Sequence, residues 1–262
     1  MQMNKINFGS LIIDDQIKKT DLLSFFNAVG YDWKKDQETI KNICYYTKSR
    51  ANPHKKDFEL SYGMEQPFLI KAVAEWTACE SFFEVGTGRG TACYSVSLLE
   101  HVKKISTVDI VPFNVKRNDA IGYEPAFVSN EDLYGMIPYD EKQKIEFYQR
   151  NQVNEIITNS ALGFDLFFID GDHTNHDIIF EDFKICHHME KENSIFVWDD
   201  YDPEKFAIKG VIRQIKNQYP EYDFLLIEFR GHLFGDKQPE KNAGMVLMKK
   251  GKFDEDLFAK SE

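Results

Sequence analysis

From about residue 64 to residue 250 the chain alternates short apolar runs with amphipathic stretches. SFFEV, ISTVDI, KIEFYQ, FDLFFID and SIFVWDD are apolar runs of strand length, each closed by a polar or turn-forming residue, and FLLIEF and AGMVLMKK are two more. TACYSVSLLEHV, QVNEIITNSA, HDIIFEDFKICHHME and AIKGVIRQIKNQ lie between the strands and carry apolar residues at helical spacing. EQPFLIKAVAEW does the same ahead of the first strand. Strands alternating with helices predict an α/β protein, a doubly wound parallel sheet covered on both faces. No helix separates the last two strands, which predicts that the seventh runs antiparallel. Residues 111–143 form a long polar connection.

The first 63 residues follow another pattern. DDQIKKTDLLSFFNAVG has helical spacing in Ile17, Leu22, Leu23, Phe25 and Phe26, with Gly30 as a stop, and a second helix is predicted over 36–48. SRANPHKKDFELSYG is polar and irregular and reads as a loop that folds over a site, with His54 as a substrate contact. The expected organisation is an N-terminal helical extension or lid over 1–63 and a single α/β domain over 64–262.

Composition narrows the class. The 262 residues suffice for one large core, and 42% hydrophobic with 29% charged residues describes an ordinary globular chain. A net charge of −11 argues against a nucleic-acid partner, which needs clustered Lys and Arg. Cys44, Cys79, Cys93 and Cys186 are scattered without a CxxC pair, as expected of reduced thiols in a cytoplasmic protein. The opening MQMNKINFGSLIIDDQ has too short an apolar run for a signal peptide, and no stretch is long enough to span a bilayer. No membrane partner is expected, and a homodimer is left open.

FFEVGTGRG, residues 82–90, places Gly86, Gly88 and Gly90 at every second position between a strand and a helix. Such a turn brings backbone N–H groups close to a ligand at a helix N-terminus; a tight turn without a ligand is the plainer alternative. ISTVD ends the second strand at Asp109, where a carboxylate can take both hydroxyls of a ribose. A dinucleotide fingerprint would put glycine or alanine at Thr91. Here the third glycine is Gly90, and Glu84 precedes the first glycine by two.

This E-x-G-x-G-x-G pattern resembles motif I of class I S-adenosylmethionine-dependent methyltransferases, and the alternation of elements is similar to their Rossmann-like fold over roughly 64–250. The resemblance implies a cofactor set of Glu84, Gly86, Thr87, Gly88, Gly90, Asp109, Asn151, Gln152 and Asp170. The loop Gly86–Gly90 would lie under the methionine part, Asp109 would hold the ribose, and Asn151 and Gln152 would contact adenine. Asp and Ser are commoner in the family at that last pair.

Further polar groups gather in DLFFIDGDHTNHD, residues 165–177. Asp170 closes the fourth strand, and Asp199 and Asp200 close the fifth. If those strands are neighbours, their tips lie about 5 Å apart. Three converging carboxylates repel; one takes up a proton, or a divalent cation such as Mg²⁺ binds them. Asp at a strand end also commonly caps the next helix or a turn. Asp170 followed by Asp199–Asp200 resembles metal-dependent O-methyltransferases, most closely the bacterial enzymes acting on sugar hydroxyls of macrolide and aminocoumarin antibiotics. The catechol and caffeoyl-CoA enzymes are more distant. The resemblance implies Mg²⁺ on Asp170, Asp199 and Asp200, and as acceptor a small-molecule hydroxyl of the sugar or vicinal-diol type. His173 follows Asp170 by three and is the candidate general base, with Asp172 as its rival. His176 belongs to the first turn of the next helix, His187 and His188 to its far end, and Trp198 to the core. The competing readings are a metal-free methyltransferase acting on nitrogen or a carboxylate, a nicotinamide-nucleotide oxidoreductase, and a cofactor-binding protein without catalysis.

Overall fold

The computed structural model describes residues 17–48, 58–61, 63–116, 128–159, 163–201, 207–229, 233–234 and 244–258. All seven expected strands form: β2 (Ser81–Val85), β3 (Lys104–Asp109), β4 (Ile145–Gln149), β5 (Phe164–Ile169), β6 (Glu190–Trp198), β7 (Tyr222–Glu228) and β8 (Gly244–Lys250). An eighth, β1 (Lys18–Asp21), precedes them, and the sheet order is β1-β7-β8-β6-β5-β2-β3-β4. β8 runs antiparallel to both β6 and β7, and every other pair is parallel.

β1 corrects the expectation of seven strands and of a helix running through Ile17. It pairs with β7 from Lys18↔Leu225 to Asp21↔Glu228. Asp21 decides where the helix begins, because its Oδ1 accepts the Ser24 N–H at 2.9 Å and caps α1 (Leu22–Val29). The residues before that cap stay extended and complete a sheet edge. Gly30 ends α1 at φ 72°, as the sequence predicts. α2 (Trp33–Lys48) starts three residues earlier than expected. Then come α3 (Gln66–Trp76), α4 (Thr91–Ser97), α5 (Asn130–Met136), α6 (Val153–Asn159), α7 (His176–His188) and α8 (Ile208–Gln218). α5 lies inside the long polar connection, nucleated by a reciprocal capping box between Ser129 and Asp132.

The inner strands are buried on both faces over most of their length, so their apolar runs are nearly continuous, while the edge strands β1 and β4 are only part-buried. Neighbours in sequence serve opposite cores: Phe82 belongs to the one that includes Phe25, Phe68 and Leu166, while Phe83 belongs to the one that includes Phe167, Phe183 and Phe196. Trp198 is fully buried in the second core, as expected. Among the described residues no helix is long and apolar enough to cross a membrane. From β2 the chain moves outward to β3 and β4, and later fills the other side with β5 and β6. The connections therefore part between β2 and β5, and a crevice opens at the carboxyl ends of those strands.

Candidate active site

The glycine turn forms one wall of that crevice. Gly86, Gly88 and Gly90 have φ of 92°, 51° and 78°, all in the region that favours glycine. A Cβ on Gly86 would stand 2.0 Å from the backbone oxygen of Asp170, so the turn lies directly against the segment that leaves β5. Asp109 holds the turn from the other side. Its carboxylate accepts the N–H of Gly88 at 3.0 Å and that of Val111 at 2.8 Å. Thr87 and Glu84 lie behind the turn: Thr87 Oγ1 is 2.6 Å from Thr107 Oγ1, and Thr107 Oγ1 donates to Glu84 Oε2 at 2.5 Å.

Glu84 is 1% exposed. Burial pushes its carboxyl from the usual 4.5 up to about 8, opposed by hydrogen bonds from Thr107 and Cys93. The folded chain therefore keeps a proton that the unfolded chain has released between pH 4.5 and about 8, and stability falls as pH rises through that window. Glu84→Gln should remove this loss. Urea melts should find the variant gaining about 2–4 kcal/mol on wild type by pH 8 and nothing near pH 4. Parallel pH profiles for the two proteins would refute the assignment.

The crevice holds a cavity of about 480 Å³ bounded by Gly86, Gly88, Asp109, Arg150, Asp170 and Asp172. Ile110 and Ile178 also line it and are 82% and 40% exposed, so the cavity offers apolar surface to a ligand. Arg150 forms an ion pair with Asp182, which burial raises to about 6 against the pull of the guanidinium. Asn151 and Gln152 occupy a 3₁₀ turn (Arg150–Gln152) behind this wall, Asn151 exposed and Gln152 Oε1 accepting the Gln149 N–H at 2.8 Å. The sequence reading thus passed over Arg150, the first residue beyond β4. It also passed over Asp182, whose signal is an acid set among Ile179, Phe183 and Cys186 on the buried face of α7.

At the ends of β5 and β6 the acids converge. The Asp170 N–H donates to Val85 O at 2.8 Å and the Asp199 N–H to Ile169 O at 3.2 Å, which fixes both residues at the sheet edge. Asp200 takes a left-handed φ of 50°, a conformation costing a residue with a side chain on the order of 1 kcal/mol. His173 lies between two acids, Nε2 3.6 Å from Asp170 Oδ1 and Nδ1 3.4 Å from Asp200 Oδ2. Asp170, His173 and Asp200 each present one ligand atom within 4.8 Å of the others. Asp199 turns toward Gln66, whose Nε2 donates to Asp199 Oδ2 at 2.5 Å and to Asp170 Oδ2 at 3.2 Å. Burial, then the charges of Asp199 and Asp200, hold Asp170 well above the carboxylate range, and a hydrogen bond links it to Asp199. Asp199 itself is raised to about 6, by burial and by Asp200.

The other polar residues of this segment sit apart from the cluster. Asp172 Oδ1 accepts the N–H groups of Thr174 and Asn175 at 2.7 and 2.8 Å, and these bonds hold it below the usual range. His176 opens α7 beside Asp177, and Asn175 supplies the cap. His187 pairs with Glu190 and Tyr222 at the far end of that helix. His54 lies outside the described residues.

No family model and no curated protein matches the sequence. Solved structures do match. One is the O-methyltransferase TomG from Streptomyces achromogenes, involved in tomaymycin synthesis and solved with SAM. It is 15% identical, with a TM-score of 0.51 over 82% of this chain and 90% of that one. Another is the O-methyltransferase from Bacillus cereus in complex with SAH, 11% identical, with a TM-score of 0.53 over 82% of this chain and 91% of that one. At these identities the likeness is one of architecture, and the chain has the Rossmann-like α/β fold of these two O-methyltransferases.

Proposed function

We propose that this protein transfers a methyl group from S-adenosylmethionine to a hydroxyl of a small molecule, with a divalent cation at the acceptor end of its site. The observation that carries the reading is Asp170, which stands on the wall of the cavity behind the glycine turn and is also the centre of the carboxylate cluster. A nucleoside and an acceptor would therefore meet across one residue.

The cavity suits the donor. Asp109 offers two carboxylate oxygens for ribose hydroxyls, and Ile110 and Ile178 offer apolar faces for a purine. The shared fold supports the same reading, since TomG was solved with SAM and the Bacillus cereus protein with SAH.

The cluster suits a cation by its chemistry. Its donors are mainly carboxylate oxygens, and Asp170 and Asp199 are both raised by burial and by the neighbouring acids, a repulsion that a cation would relieve. Asp170, Asp199 and Asp200 would hold Mg²⁺ or a similar ion, which supplies Lewis acidity and a template for the acceptor's oxygens. His173, whose ring lies between Asp170 and Asp200, takes the proton of the accepting hydroxyl. Asp172 is the poorer base because two backbone N–H groups already stabilise its charged form. The acceptor class we favour is a sugar or vicinal diol, whose neighbouring oxygens suit such a template; most of the segment 49–63, expected to be a lid, lies outside the described residues. The four cysteines are buried free thiols, which accords with a reducing compartment such as the cytoplasm.

Titration calorimetry tests the donor assignment. The protein should bind S-adenosylhomocysteine and not NAD. Asp109→Ala should weaken that binding by about 1.5–3 kcal/mol, the usual worth of a charge-assisted hydrogen bond. Tight NAD binding would overturn the reading.

A further inference from the structure

Gln66 opens α3, 104 positions from Asp170 and 133 from Asp199 in the chain, yet its side chain touches both. Its nitrogen donates to one oxygen of each carboxylate, 3.2 and 2.5 Å away. Both sides of this contact are fixed. The residues from Pro67 to Ala74 are buried along α3, and backbone hydrogen bonds pin Asp170 and Asp199 to the ends of β5 and β6. Adaptation at this contact is then left to side-chain torsions, those of Gln66 foremost.

An N–H donor and a metal cation compete for the same carboxylate lone pairs. A carboxamide can resolve that competition without leaving its place, because rotation about its last torsion exchanges the nitrogen donor for the oxygen acceptor. A neutral carboxamide oxygen is a ligand that hard divalent cations accept beside carboxylates. Swinging away instead would give up both hydrogen bonds and leave a half-buried amide in need of new partners.

We propose that Gln66 is a further ligand residue of the cation site. Its Nε2 rests on Asp170 and Asp199 when the cation is absent, and its Oε1 turns to the cation when it is present. The inference rests on the cation reading of the preceding section. It also ties α3 to the cluster: one side chain from the helix packed beside the N-terminal elements completes a site otherwise drawn from two strand ends.

Binding of Mn²⁺ to the full chain, followed by calorimetry and by the electron paramagnetic resonance signal of the free ion, tests it without turnover. Gln66→Leu and Gln66→Met keep side-chain bulk but lose the oxygen, and each should weaken Mn²⁺ binding by about 10- to 100-fold. Gln66→Glu should bind Mn²⁺ at least as tightly as wild type. Thermal melts identify any variant that fails to fold; the two apolar replacements stand in for each other, and Gln66→Glu tests the oxygen independently. Mn²⁺ binding that is unchanged or tighter in a folded Gln66→Leu or Gln66→Met protein overturns the proposal, because the amide is then only a competitor. Wild-type protein that fails to bind Mn²⁺ saturably, or binds it no better than Asp199→Asn, overturns the cation reading itself and this inference with it.

Discussion

Chelation should reduce methyl transfer to background, and added Mg²⁺ or Mn²⁺ should restore it. Asp170→Asn should cost on the order of 10³-fold in turnover, corresponding to several kcal/mol of lost charge stabilisation at the acceptor oxygen. Asp170 is the most exposed to this loss because it faces every part of the site: Asp199 through a hydrogen bond, His173 at 3.6 Å, and the donor cavity on its other side. Asp200→Ala should act more narrowly, raising the cation concentration needed for half-maximal rate. Its side chain reaches His173 at 3.4 Å and does not line the donor cavity, so affinity for S-adenosylhomocysteine should stay near wild type. Rates measured with the true acceptor over a series of cation concentrations separate these effects. Full activity in the presence of chelator would leave the acids with a structural role and favour a metal-free methyltransferase.

His173→Ala should lower turnover by about 10²- to 10⁴-fold, the usual range for a lost general base. The imidazole lies between Asp170 and Asp200, its Nε2 3.6 Å from one and its Nδ1 3.4 Å from the other, which places the ring near the centre of the cluster. Asp172→Asn should be mild in rate, because its carboxylate spends one oxygen on the turn that leads into α7. The expected cost there is to stability, through weaker bonds to Thr174 and Asn175. Single-turnover rates for the two variants, with donor affinity measured alongside, decide the matter. A crippled Asp172→Asn beside a nearly normal His173→Ala would assign the base to the carboxylate.

The sheet was legible because a strand buried on both faces must be written as a continuous apolar run, and FDLFFI or SFFEV has few other readings. The edge strand was not. KKTD carries no apolar residue, and what makes it a strand is the unpaired side of β7, a partner some 200 positions away. Local chemistry was legible for the same reason that it is local: the glycine turn, Asp109, and the acids at the ends of β5 and β6 follow directly from where strands stop. Gln66 could not be read from its surroundings. A glutamine ahead of Pro67 looks like any first helical turn until the fold brings α3 over the sheet edge. Arg150 and Asp182 fall between these cases. Arg150 sits one step from Asn151, and Asp182 lies within the helix that the pattern predicted; only the side-chain directions bring the two to the cavity.

The contact between Gly86 and the Asp170 carbonyl has a mechanical meaning. A Cβ on Gly86 would meet that oxygen at 2.0 Å, so only a glycine lets the two backbone segments lie this close. Such a contact behaves as a hard stop: neither the turn that would cradle the donor nor the segment that would carry the acceptor machinery can advance without pushing the other. On the proposed reading, the distance from donor to acceptor would be set by main-chain geometry, which side-chain substitutions elsewhere in the pocket leave alone. For anyone reshaping this pocket toward a new acceptor, Gly86 and Asp170 would act as a single machined joint.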